Sequence, residues 1–161
     1  HLESVSSVPF SEYLDEAVLQ PLGLADTSLE GSPAAGATAP IGDVLRLGHE
    51  LLAPTIVDAS TLAAATTVQF PDLDGVVPGI GRMRPCDWGL GPELKDAKAP
   101  HWTPSTASPA TFGHFGGAGT FLWVDPDAGV GCAALTDREF GQWALDAWPP
   151  FGDAVLGCAR R

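Results

Sequence analysis

The last third of the chain leaves the least freedom to fold. Three runs of strand-forming residues, Thr111 to Gly117, Thr120 to Val124 and Val130 to Thr136, follow one another closely, and the last two are joined by the turn Asp125-Pro126-Asp127-Ala128-Gly129. Alternating apolar residues bounded by such turn chemistry predict a β-hairpin extended to an antiparallel meander. Behind it Phe140, Trp143, Ala144, Ala147 and Trp148 form an apolar stripe, interrupted at Pro149-Pro150 and resumed by Phe151, Ala154, Val155 and Cys158. A terminal helix over 138–161, kinked or split at the prolines, is expected to lie on the sheet.

Upstream, Phe10, Tyr13, Leu14, Ala17 and Val18 recur at helical spacing after Pro9, with Ser11 as the candidate N-cap and Gly23 as the stop. A second helix is expected from Ile41 to Ala53, between Pro40 and Pro54, and a third from Ser60 to Val68, capped by Asp58 or Ser60. Residues 70–110 are rich in Pro, Gly, Asp and Thr and read as irregular surface chain or a short strand. The order is therefore α+β: a helical part over about 1–69, an irregular connection over 70–110, a β-meander over 111–136 and a C-terminal helix, together one partial domain. Three strands make a thin sheet for so much apolar sequence. The opening His1-Leu2-Glu3 has no cap or turn before it, so a longer protein with additional strands is expected.

A net charge of −12, from 20 acidic and 8 basic residues, opposes attraction to phosphate backbones and anionic lipid, so nucleic acid and membrane surfaces are not expected partners. The longest apolar runs fall far short of the roughly 20 residues that cross a bilayer, and no secretion leader is visible. Cys86, Cys132 and Cys158 are odd in number and widely spaced, which predicts free, mostly buried thiols. His1, His49, His101 and His114 have no ligand spacing; neither a metal nor a cofactor is expected. Of the five tryptophans, Trp123, Trp143 and Trp148 are assigned to the core, whereas Trp102, between Pro100 and Pro104, is expected to line a substrate pocket.

Four phrases in order, VPFSEYLDEAVLQPLGLADTS, PAAGATAPIGDVLRLGHELLA, DWGLG and GHFGGAGTFLWVDPDAGVGCAALTD, resemble the C-terminal part of serine hydrolases of the β-lactamase and penicillin-binding-protein type, a resemblance covering nearly the whole chain. It extends to class C β-lactamases, esterases and D-aminopeptidases. It implies acyl transfer on an ester, amide or peptide by three elements: a Ser-x-x-Lys nucleophile and base, a Tyr-x-Asn or Ser-x-Asn loop, and a Lys-Thr-Gly strand. His114-Phe115-Gly116 is similar to the last, in its His-x-Gly form. Imidazole titrates near neutral pH, so a histidine there is a conditional version of lysine. The glycine leaves the strand edge bare for substrate, with Phe115 beside it. By the same resemblance the backbone N–H of Gly117 is one of two oxyanion donors, and Asp26 and Asp43 hold turns and helix starts.

The remaining elements are absent from these residues. The residues three before Lys95 and Lys98 are Pro92 and Lys95; the chain has no Asn, and Tyr13 lies on the predicted helix. The reading is thus the C-terminal half of a serine hydrolase whose nucleophile lies in a missing N-terminal part, with a small molecule or peptide as substrate and no hydrolysis by this chain alone. Histidine in place of a permanent ammonium favours an esterase or peptidase over a β-lactamase. Two alternatives stand beside it: a non-catalytic binding or regulatory module that keeps the cleft, and a fragment that self-associates through an open sheet edge.

Overall fold

A computed structural model describes residues 1–159. The last two positions of the predicted terminal helix lie outside the described residues. After α1 (Leu2–Ser6), α2 (Phe10–Leu14) runs through a π-helical turn, Asp15–Leu19, into α3 (Gln20–Leu22) as one rod. Ser11 does not cap it. Pro9 stands at the N-cap, and Glu3 Oε1 accepts the Phe10 N–H at 2.8 Å. Gly23 does stop it, at φ 64°, with Gly23 N–H on Gln20 O (3.0 Å) and Leu24 N–H on Leu19 O (2.8 Å). That pair of bonds satisfies carbonyls the helix end would leave bare, and left-handed φ is cheapest for glycine.

A short hairpin, β1 (Ser28–Leu29) with β2 (Ala37–Thr38), leads to α4 (Ile41–Leu52), then α5 (Ala59–Ala65), where Asp58 accepts the Ser60 N–H at 2.8 Å. Asp43, 2% exposed, accepts from Asp26 N–H (3.2 Å) and Thr27 Oγ1 (2.8 Å), so the turn before β1 is hung from α4 by one buried carboxylate. The stretch expected to be irregular or a short strand contains a second hairpin, β3 (Gly75–Val77) with β4 (Gly81–Met83), and a fourth strand for the main sheet, β5 (Glu93–Leu94).

The main sheet is antiparallel in the order β5-β6-β7-β8, with β6 at Phe112–Gly116, β7 at Thr120–Asp125 and β8 at Val130–Ala134. Successive residues point to opposite faces. Phe112, Val124 and Leu94 pack on one face with Leu51 and Leu52 of α4. Gly48 lets α4 approach closely, since a Cβ there would stand 3.1 Å from Leu122 Cδ1. Phe121, Trp123 and Cys132 pack on the other face with Ala144, Trp148 and Leu156 of α6 (Gln142–Ala159). α6 is neither split nor ended at Pro149-Pro150. Two lost donors cost a helix several kcal/mol, but both halves are anchored: Trp148 and Leu156 are buried, and Gly152 lies so near Pro104 that a Cβ would be 2.4 Å from its Cγ. Layered this way, with helices on both faces of an antiparallel sheet, the fold is α+β.

Candidate active site

On one side of β5 Glu93 bridges Trp88, and on the other β5 pairs with the first half of β6, Leu94 with Phe112 and Glu93 with Gly113. Beyond that point, among the described residues, His114 to Gly116 pair with β7 alone and leave their other edge open. The β6–β7 connection is a tight turn in which Gly119 N–H donates to Gly116 O at 3.0 Å, with φ 77° at Gly119. In a trans peptide the N–H points opposite to the C=O. Because Gly116 O is turned inward to Gly119, the Gly117 N–H is turned outward, and it has no hydrogen-bond partner among the described residues.

The tip is fixed from behind. Phe140 N–H donates to Gly117 O (2.9 Å), and Thr136 Oγ1 donates to Gly119 O (2.8 Å). No side chain fits at Gly119, where a Cβ would sit 1.9 Å from Arg138 O. The Phe115 ring meets Phe140 at 4.5 Å and Trp102 at 5.4 Å on the α6 face, so it braces the strand rather than lying beside the open edge.

His114 is exposed on the opposite face, and its Nδ1 lies 2.6 Å from Phe115 O. A carbonyl only accepts, so Nδ1 carries the hydrogen and Nε2 is left outward as the nitrogen available to a ligand. Trp88 stands edge-on to the imidazole, with centroids 5.6 Å apart at 64°. The same indole borders a groove of about 350 Å³ with Phe70, Leu73, Val76 and Cys86. A larger recess of about 520 Å³ near His1, Phe10 and Leu29 shares no residue with these.

Trp102 is not a pocket residue. It is 1% exposed, and its Nε1–H donates to Glu93 Oε2 at 2.8 Å. Glu93, 2% exposed, also meets Lys98 Nζ at 3.2 Å and His101 Nε2 at 3.3 Å through Oε1. Lys98 Nζ further donates to the carbonyls of Asp87 (2.7 Å) and Leu94 (2.5 Å). Burial would raise the Glu93 pKa, but the hydrogen bonds from His101 and Trp102 and the nearby positive charge outweigh it and hold the carboxyl below its ordinary range. Asp87, next to Trp88, moves the other way: burial raises it, and its neighbour Asp96 adds to the rise. This buried polar cluster under β5 was not anticipated; its members are scattered between Asp87 and Thr103 without spacing that marks them.

Residues 1–154 match the beta-lactamase family model. The chain belongs to the beta-lactamase family. A solved beta-lactamase from Mycobacterium bovis superposes with a TM-score of 0.94 and 51% identity, over 98% of this chain and 59% of that one. Unliganded simvastatin synthase from Aspergillus terreus superposes with a TM-score of 0.75 over 99% of this chain and 52% of that one; at 17% identity it attests the fold alone. This beta-lactamase-family chain thus spans little more than half the length of either structure. No curated protein sequence matches it.

Proposed function

We propose that this chain supplies the strand wall and one oxyanion amide of a serine acyl-transfer site, with His114-Phe115-Gly116 in the place of Lys-Thr-Gly and the nucleophile and its base on polypeptide outside it. The observation that carries the reading is the outward, unpartnered Gly117 N–H beside the open edge of β6. In acyl transfer a tetrahedral intermediate places negative charge on the former carbonyl oxygen, and a preorganised amide stabilises that charge without reorganising. The open edge gives an extended substrate somewhere to lie, and His114 Nε2 offers it a hydrogen-bonding or charged contact. Ester, amide and peptide carbonyls all meet these requirements. Histidine at 114 favours an ester or peptide over a lactam whose carboxylate needs a permanent cation.

Gly117→Pro tests this in the complete polypeptide encoded with this chain. Proline is favoured at the second position of a type I turn, and φ is positive at Gly119 but not at Gly117 or Ala118, so the turn accommodates it while the N–H is deleted. Loss of one oxyanion donor lowers kcat by about 10² to 10³-fold. Turnover of p-nitrophenyl acetate within a few-fold of the unsubstituted protein overturns the assignment. Comparing p-nitrophenyl acetate with nitrocefin separates esterase from β-lactamase activity. Should a fluorophosphonate and a fluorescent penicillin both fail to label the complete polypeptide, the chain is part of a non-catalytic binding module instead.

A further inference from the structure

We propose that the groove beside His114 receives an uncharged, apolar portion of the substrate, an aliphatic or aromatic acyl group, with Trp88 as the wall common to groove and reacting centre; the inference rests on the acyl-transfer reading above. The surface here is unusual for a loop-rich stretch. Phe70 is 70% exposed, Val76 71% and Leu73 58%, and all three line the same concavity with Trp88 and Cys86. Isolated apolar side chains at a surface need no explanation, but a contiguous set around a concavity marks a binding site. Its volume, about 350 Å³, falls at the lower end of pockets that hold small molecules.

The chemistry of the lining narrows the ligand. Its one ionisable group besides the Cys86 thiol is Asp74, whose Oδ2 is engaged by Arg82 (2.6 Å) and Arg84 (3.1 Å). That carboxylate is paired by guanidiniums that do not line the groove, so the lining itself presents no unpaired charge to a ligand. The floor is built in advance. Cys86 N–H donates to Leu73 O at 2.8 Å, and a Cβ at Gly75 would be 2.8 Å from Cys86 Cβ, so the chain segments under the groove are already in contact. A molecule with its carbonyl at the open edge of β6 passes His114 and meets the exposed Trp88 before entering the groove. Continuity through a single indole ties this apolar surface to the reacting centre and assigns it to the substrate.

The test is the chain-length dependence of ester hydrolysis by the complete polypeptide, p-nitrophenyl acetate through octanoate. Each buried methylene is expected to raise kcat/KM about fourfold until the groove is full. Val76→Asp and Phe70→Ser, both at mostly exposed positions that do not endanger folding, are expected to reduce the octanoate-to-acetate ratio by about tenfold or more. A flat series with an unchanged ratio in both variants overturns the inference while leaving acyl transfer intact. If no ester is hydrolysed, titration of the complete polypeptide with octanamide, followed at the Trp88 indole resonance, decides the groove by itself: saturable binding weakened by Val76→Asp sustains it, and no binding overturns it. Shielding of Phe70 and Val76 from hydroxyl radicals in the unliganded complete polypeptide overturns it too, because protein then covers the groove.

Discussion

Glu93→Gln removes one negative charge and almost no volume from the interior. The three side chains that point at the carboxylate, Lys98, His101 and Trp102, are all buried, and among the described residues the Lys98 ammonium is left with two backbone carbonyls and the electrostatic influence of Asp87, whose carboxyl is itself pushed toward its neutral form. Breaking a buried pair by removing one partner costs about 3 to 5 kcal/mol, because the remaining charge stays desolvated. That is a large share of the roughly 5 to 15 kcal/mol that stabilises a domain. For a chain of this length it corresponds to a fall of about 10 °C in Tm. Thermal and urea unfolding followed by circular dichroism measure it. The pH dependence adds a second check. A carboxyl held below its ordinary value contributes stability above the unfolded pKa of about 4.3 and loses it as pH falls through the folded value. The gap between the two proteins therefore narrows from pH 7 to below pH 4. Lys98→Met in the Glu93→Gln background recovers part of the loss by removing the orphaned cation. A loss under about 1 kcal/mol at pH 7, or a gap that does not change with pH, refutes the argument that this cluster is an ion pair stabilised by burial.

Further outcomes follow from single contacts. Gly119→Ala forces a side chain to within 1.9 Å of Arg138 O at φ 77°, so the tip shifts, and hydrogen exchange at the Phe140 amide, now held by Gly117 O, speeds up. Asp125, fully buried, accepts from Ser108 N–H (2.9 Å), Ser108 Oγ (2.8 Å) and Ala128 N–H (3.1 Å); Asp125→Asn places an amide against one of those donors and costs about 2 kcal/mol in urea unfolding. Burial pushes the Cys132 thiol up to about 11, so iodoacetamide at pH 8 modifies exposed Cys158 and leaves Cys132 unmodified, as peptide mass mapping will show.

Sequence patterns fixed whichever elements depend on their own neighbours. β6, β7 and β8 fall within a few residues of the expected bounds because alternation and the Asp125–Gly129 turn are local signals. β5 was expected only as an unplaced short strand within 70–110; two residues inside Asp-Trp-Gly-Leu-Gly-Pro-Glu-Leu have no period, and only pairing with β6 places them. On α6 the buried stripe is Ala144, Trp148, Gly152 and Leu156, whereas Phe151 and Cys158, expected inside, are exposed. A glycine has no apolar side chain to count, yet Gly152 is what lets the helix reach Pro104. The same limit governs the site. The motif singles out His114 and Gly117 as candidates, whereas Trp88 beside His114 is a contact between distant segments and Glu93 against Trp102 joins residues with no shared period. Trp102 was misplaced because proline-flanked sequence suggested an exposed loop, while its indole N–H had a buried carboxylate to satisfy it.

The indoles of Trp102 and Trp143 lie 6.5 Å and 5.9 Å from that of Trp148, which belongs to α6. Chromophores so close, held at fixed and nearly perpendicular angles of 77° and 84°, couple optically. Trp143 and Trp148 share α6, so their pair persists as long as the helix does, whereas the Trp102–Trp148 pair exists only while the helix is docked; loss of that component of the near-ultraviolet dichroism reports undocking of the last helix with no label.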